Sequence, residues 1–308
     1  MLLLLTNSLD GTADIMCKLA GERGVDVFRF NTDLFLSYSL RITADDFTIT
    51  DPTGRTVSEA TLTACYWRKP FISGDDPSAT FPTAEQTWVR EHLRVLVREI
   101  ANLARSTSRL RLVDPHAERR LGKLVQMRLA KPLFSVPTWD VVLNHHFTSA
   151  SQRVVKTLSP ELIDTERLGF LFTTPIIPAE LDPRYPWFVQ NLAPGQKDAT
   201  LVFVFGQMRA FSPTRTRDKL GIDWRVRIGD SDLQWEEIAI PDAISEAVSL
   251  FMHRANLHYG RLDFIVDDDI WHFLEVNPNG QFGWLDAPDF RLHNLILTAV
   301  LDTRTALL

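Results

Sequence analysis

Three oxygen-bearing side chains, Asp263, Glu275 and Asn277, stand near the end of the chain. They lie in the run G-R-L-D-F-I-V-D-D-D-I-W-H-F-L-E-V-N-P-N-G over residues 260–280. Two β-rich stretches, 262–266 and 271–276, flank the acidic turn Asp267-Asp268-Asp269, which is a hairpin pattern. Alternate residues of a strand share a face, so Glu275 and Asn277 point together and Asp263 reaches the same spot from the partner strand. Two carboxylates and an amide oxygen make a hard, all-oxygen site suited to Mg²⁺ carrying a nucleotide phosphate. The same residues also fit a hairpin with a solvated polar edge and an Asn-Pro-Asn-Gly turn. The apolar company of Glu275 (Phe273, Leu274 and Val276) favours the first reading, because a buried carboxylate is costly unless paired or metal-bound.

The elements that must hold this hairpin follow from the rest of the chain. Its 308 residues allow a large core and more than one lobe. Composition is that of a folded protein, 45% hydrophobic and 23% charged, with no low-complexity tract. A net charge of −6 argues against non-specific nucleic-acid binding. Cys17 and Cys65 have neither disulfide-framework nor zinc spacing. The apolar start, Leu2 to Leu5, is too short for a signal or membrane span and reads as a first buried strand. A helix to Arg23 and a strand over 25–30 complete a small parallel α/β unit, and no Gly-x-Gly-x-x-Gly follows the first strand. A hairpin is expected over 39–50. A long amphipathic helix is expected over 82–104, with Trp88, Leu93, Leu96 and Ile100 in the core. Another helix is expected from Pro115 to about Lys131. Short strands at 139–143 and 153–157 bracket a short helix. Hairpin 200–212 and helices over 241–257 and 288–301 follow. Two cations end the strand at Arg68-Lys69, and Lys156 stands inside a β-branched strand, which is unusual unless the strand is an edge or faces a ligand.

F-L-E-V-N-P-N-G preceded by G-R-L-D-F-I-V resembles the C-terminal core of ATP-grasp ligases. Within that superfamily it is most similar to the ribosomal-peptide maturases that make graspetides, the microviridin type. The resemblance implies that Asp263, Glu275 and Asn277 are Mg²⁺ ligands. Lys123-Leu124-Val125-Gln126 matches the family's Lys-x-x-Gln, which makes Lys123 a phosphate contact, with Lys156 as the second nucleotide lysine. The stretch 187–192 matches the hinge strand whose backbone meets adenine, here at Gln190, Asn191 and Leu192, and Asp198 follows as a further nucleotide-site residue. Residues 169–174 match the segment that closes over the phosphates. Arg68 and Lys69 stand where the family has Arg-Arg at the lobe boundary, facing the active site. The family's Asp-x-Arg is replaced by Asp198-Ala199-Thr200, so a phosphate-contacting Arg is absent. Arg225, in an Asp-Trp-Arg shared with the family, is the candidate stabiliser of the transferring phosphoryl group or the substrate carboxylate, with Arg209, Arg215 and Arg217 in reserve.

The resemblance implies an α/β architecture of ATP-grasp type. A pre-ATP-grasp domain occupies 1–113, a central lobe 114–188 and a C-terminal lobe with the metal hairpin 189–308, with ATP between the lobes. It implies a cytoplasmic, ATP-dependent carboxylate–amine or carboxylate–hydroxyl ligase. Such an enzyme macrocyclises a precursor peptide that has a leader and a core rich in acidic, Lys, Ser or Thr residues. It also implies a homodimer, with neither nucleic acid nor membrane as partner. Two other readings remain open. One is an ATP-grasp ligase of the glutamate-adding type with another acceptor. The other is a non-catalytic peptide-binding homologue, motivated by the absent arginine.

Overall fold

The structure is a computed structural model. It describes residues 1–71, 77–106, 110–144, 153–156, 158, 173–177, 179, 181–227 and 233–301. Among the described residues four sheets carry the fold. Strand β1 (Leu2–Thr6) is buried along its whole length, as a central strand covered on both faces must be. Helix α1 (Gly11–Glu22) starts where the Asp10 carboxylate accepts the N–H groups of Thr12 and Ala13. Strand β2 (Val27–Asn31) lies parallel to β1. The expected hairpin, β3 (Ser39–Ile42) with β4 (Phe47–Thr50), gains a third strand, β5 (Thr56–Ser58). Strand β6 (Ala64–Trp67) flanks β1 on its other side and pairs with β7 (Leu110–Arg111), giving the parallel order β2-β1-β6-β7.

Helix α2 (Thr83–Ser106) corrects one expectation. Val89, Leu93, Val97, Ile100 and Ala104 face the core, whereas Trp88 is 63% exposed. Successive helical residues are about 100° apart, so the buried stripe takes Val89 and leaves its neighbour outside. Trp88 packs instead against the tilted ring of His92, one turn along the helix. The single helix expected from Pro115 to about Lys131 is in fact two, α3 (Ala117–Arg120) and α4 (Lys123–Ala130). They are separated by Gly122, which is extended at φ −65° and ψ 160°. The break makes Lys123 the first residue of a new helix.

Strands β8 (Trp139–Val142), β9 (Arg153–Lys156), β10 (Thr174–Ile176) and β11 (Trp187–Gln190) form an antiparallel sheet in the order β10-β9-β11-β8. This sheet runs on to Gln190, two residues past the expected lobe boundary. The expected short helix between β8 and β9 lies outside the described residues. The last sheet has five strands, ordered β14-β13-β12-β15-β16. These are β12 (Lys197–Val204), β13 (Gln207–Pro213), β14 (Trp235–Ile238), β15 (Tyr259–Asp267) and β16 (Ile270–Asn277). The short helix α5 (Arg217–Leu220) follows β13, and α6 (Asp242–Arg254) precedes β15. The closing helix α7 (Arg291–Leu301) starts where Asp286 accepts the N–H groups of Leu292 and His293.

Two cores hold these layers. One joins the N-terminal sheet to α7 and to Val202, Val204 and Phe211 of the five-stranded sheet. The other packs α4 and α6 on that sheet around the rings of Phe134, Phe251, Phe264 and Phe273. No described helix is long and apolar enough to cross a membrane.

Candidate active site on the C-terminal sheet

The hairpin pairs as its side-chain alternation predicts. Asp263 lies opposite Glu275, with a register shift between Asp263 and Phe264. On its other side Asp263 lies opposite Thr200 of β12, so Thr200, Asp263 and Glu275 form a row across three strands. Thr200 Oγ1 donates to Asp263 Oδ1 at 2.7 Å. This row floors a cleft of about 120 Å³ that also includes Lys123, Lys156, Asp198, Asp223 and Arg225, with Trp224 and Trp235 on its wall.

Each cation arrives by a different element. Gln126, buried on α4, accepts the Val276 N–H at 2.9 Å and donates to Leu121 O at 2.9 Å. That stitch clamps α4 on β16. Lys123, three residues earlier on the same helix face, meets Glu275, with Nζ to Oε2 3.2 Å. Lys156 enters from the end of β9. Arg225 is locked by Asp223 through a two-point fork, Nε to Oδ1 2.8 Å and Nη2 to Oδ2 2.6 Å. Asp223 also accepts the N–H of Thr173 at 3.0 Å, tying this corner to the segment before β10.

Proton affinities follow from burial and from these neighbours. Burial raises the Glu275 carboxyl, but Lys123, Lys156 and Arg225 together outweigh it and hold it at about 2. Burial, with Lys123 and Arg225 nearby, lowers Lys156 to about 8 despite Glu275. Burial, with Asp263 and Asp223, pushes Asp198 up to about 7 against the pull of Arg217. The Asp198 Oδ2 atom is buried without a hydrogen-bond partner among the described residues.

The donor set fits a hard divalent cation. Asp263 and Glu275 face each other across the hairpin, and Asp198 Oδ2 has acceptor capacity to spare. Mg²⁺ is usually held by one or two carboxylates and completed by substrate phosphates and water.

Other expected site residues lie elsewhere. Asn277 is opposite Arg261, and its Oδ1 accepts the Asn279 N–H at 3.2 Å within its own turn. Gln190 is buried at the end of β11 and Asn191 donates its N–H to Thr138 O at 2.8 Å. Neither they nor Leu192, which is exposed, line the cleft. Arg68 is 1% exposed and pairs with Asp10 at 3.4 Å and with Gln281 at 3.3 Å. Lys69 opens onto a second cleft of about 720 Å³, lined also by Asn7, Asp10, Gln281 and Trp284. Of the reserve arginines, Arg209 pairs with Glu237 and Arg217 bonds the carbonyls of Ala193 and Gly195, and none of the three lines the first cleft. The expected closing segment lies outside the described residues up to residue 172. The Asp223 lock on Arg225, the Thr200–Asp263 bond and the placement of Arg261 were not foreseen. For Arg261 there was a signal, since residues 261 and 263 share a strand face.

No family model matches the chain, and no curated protein matches it. Solved structures do. One is a RiPP-associated ATP-grasp ligase of Chryseobacterium gregarium in complex with ADP and a leader and core peptide. It has a TM-score of 0.85 and 20% identity, covering 98% of this chain and 96% of that one. A second is the macrocyclase MdnC of Microcystis aeruginosa MRC bound with precursor peptide MdnA, at TM-score 0.81 and 23% identity, covering 98% and 100%. More distant is D-alanine–D-alanine ligase of Bacillus anthracis, at TM-score 0.52 and 12% identity, covering 98% of each chain. The chain therefore has the ATP-grasp fold, and its carboxylates and cations meet on the sheet that carries the hairpin.

If Lys156 contacts phosphate, Lys156→Ala weakens ATP binding by about 1.5–3 kcal/mol, the range of a hydrogen bond to a charged group. Calorimetry measures this. The wild-type affinity also declines as the pH rises above about 8, where the buried ammonium loses its proton, and the alanine variant lacks that limb. Unchanged affinity would return Lys156 to the role of an ordinary strand lysine.

Proposed function

We propose that this chain is an ATP-dependent carboxylate–amine or carboxylate–hydroxyl ligase that closes rings in a ribosomally made precursor peptide. One observation carries the ligase reading: on an ATP-grasp fold, opposed Asp263 and Glu275 share a cleft with Lys123, Lys156 and Arg225. The peptide substrate is supported by the likeness to structures described with leader and core or precursor peptides.

Phosphoryl transfer needs mainly positioning and charge neutralisation from the protein. Asp263 and Glu275 would hold Mg²⁺, and Asn277, outside the cleft lining but two residues beyond Glu275 on the same strand face, would be the third ligand in this reading, exchanging its bond from the Asn279 N–H for the ion. The ion would supply charge neutralisation at the ATP phosphates. Lys123 and Lys156 bind phosphate oxygens from the side of α4 and β9. Arg225, held in place by Asp223, meets the charge that spreads over the transferring group. A peptide Asp or Glu carboxylate oxygen attacks the γ-phosphorus, ADP leaves, and an acyl phosphate forms. A Lys amine or Ser/Thr hydroxyl of the same peptide then attacks the acyl carbon, phosphate leaves, and the nucleophile's proton passes to solvent. Trp224 and Trp235 line the cleft and limit water, which would otherwise hydrolyse the acyl phosphate. In this reading the backbone at Gln190 to Leu192, beside the cleft rather than in its lining, would meet the adenine, and the three-part division into 1–113, 114–188 and 189–308 is the accompanying domain plan.

The test is incubation with ATP, Mg²⁺ and a precursor peptide encoded beside the gene. The expected product is a peptide lighter by one water per ring, with one ADP formed for each. Addition of glutamate to an acceptor, which needs the same cleft residues, yields a heavier product instead. ATP-independent peptide binding with no turnover rejects the enzyme. We also propose a cytoplasmic homodimer, with Trp88 and Val95 on the exposed face of α2 covered by a second copy. Light scattering at micromolar concentration is expected to give twice the chain mass, and a monomer removes the dimer without touching the chemistry.

A further inference from the structure

Arg261 stands between the two clefts. It shares the face of Asp263, two residues on along β15. On one side its Nη2 donates to Asp263 Oδ2 at 2.9 Å. On the other, its Nη1 donates to the Gln281 backbone oxygen at 3.1 Å, and its guanidinium carbon lies 5.1 Å from the Trp284 ring centre. Gln281 and Trp284 wall the second cleft. The residue is 7% exposed, and its Nε is buried without a hydrogen-bond partner among the described residues.

Asp263 thus serves two donors, Thr200 on Oδ1 and Arg261 on Oδ2. A divalent cation on Asp263 competes for the same oxygens and repels the guanidinium. Losing that partner does not strand Arg261, because the Gln281 carbonyl and the Trp284 ring already hold it on the far side. There it joins Lys69 and the buried Arg68, whose Nη1 also lacks a hydrogen-bond partner among the described residues. Asp10 in that wall is taken by Arg68 and by the first turn of α1, which leaves Glu118, whose charge reaches Lys69, against Arg68, Lys69 and Arg261. Surplus positive charge with unmet donors suits an incoming carboxylate.

We propose that Arg261 is shared between the clefts: it pairs with Asp263 while the cation is absent and turns to the second cleft when a cation occupies Asp263, where with Lys69 it holds the carboxylate of an acidic peptide side chain. This inference rests on the ligase reading. It orders binding, with metal and nucleotide first and peptide second, and by linkage each favours the other.

The test follows Mn²⁺ binding to protein saturated with a non-hydrolysable ATP analogue, read by the paramagnetic resonance of free Mn²⁺. Wild type, Arg261→Met and Arg261→Lys are compared. Removing the competitor is expected to tighten Mn²⁺ binding by about fivefold or more, the lower edge of ordinary coupling, with the lysine variant between. Tryptophan emission is expected to change on metal loading in wild type, and that change is lost in both Trp284→Phe and Arg261→Met. If the buried methionine prevents folding, Arg261→Lys carries the same test, since a shorter ammonium pairs more weakly with Asp263. Weaker Mn²⁺ binding, as a purely orienting arginine would give, overturns the proposal. So does a Trp284-dependent signal that persists without Arg261. If nucleotide binding in wild type shows no dependence on a divalent cation, the ligase reading falls and this inference falls with it.

Discussion

Arg225→Ala is expected to lower kcat by about 10²–10³-fold, the usual loss for one donor aimed at transition-state charge. KM for ATP should change little. Among the described residues the cleft has three cations, but Lys123 is already paired with Glu275, and Lys156 has its proton affinity lowered by burial. Arg225 alone is held by a two-point carboxylate fork, so its direction is set before substrate arrives. Such preorganisation costs nothing at the moment of transfer, which is why its loss appears in kcat rather than in binding. Arg225→Lys should recover only part, because an ammonium cannot form the fork with Asp223. Thr200→Arg offers a second check. Thr200 lines the same cleft, so an arginine there is expected to restore part of the activity of Arg225→Ala. Near-normal turnover by Arg225→Ala, measured as steady-state ADP release, would remove that residue from the mechanism.

Glu275→Gln is expected to abolish ATP turnover while leaving the fold intact. The substitution keeps the volume and removes one charge. In the structure that charge faces Asp263 across the hairpin, and Lys123, Lys156 and Arg225 hold it ionised down to about pH 2. At any working pH the carboxylate is therefore available to a cation. A glutamine is a much poorer partner for Mg²⁺, so the metal-dependent part of nucleotide binding should disappear. Metal-free nucleotide binding should not weaken, since the cleft becomes more positive. That contrast separates a ligand from a merely structural carboxylate. The two titrations, with and without Mg²⁺, should be read beside a thermal melt to confirm the fold. Retention of Mg²⁺-dependent turnover would rule out Glu275 as a metal ligand.

Residues close together in the chain could be placed by reading it, because their geometry is local. Asp263 and Glu275 had to meet, since two β-rich stretches around a short acidic turn admit few registers, and a slip of one residue would turn every side chain over. The buried first strand was legible for the same reason: an unbroken apolar run is a local instruction. Trp88 was misread because one step of helical phase separates the buried stripe from the exposed face, and composition does not supply that phase.

What surrounds the carboxylates is another matter. Lys123 reaches Glu275 only because Gly122 restarts the helix and Gln126 bonds the β16 backbone, a contact between residues 150 positions apart. Among the four arginines between residues 209 and 225, only the shared Asp-Trp-Arg pointed to Arg225; the fold puts Arg225 on the cleft and sends Arg209 to Glu237 and Arg217 to loop carbonyls. The bridge from Asp263 through Arg261 to Trp284 needs the loop after β16 to fold back beside β15. By itself, then, the sequence determined the paired carboxylates and the strands that present them, because hairpin register and side-chain alternation act over a few residues. Resemblance named the cations Lys123, Lys156 and Arg225, but only the tertiary structure decided how they are held against the carboxylates and that a second cleft adjoins the first, because those arrangements depend on contacts that close long loops and on which charges find partners elsewhere.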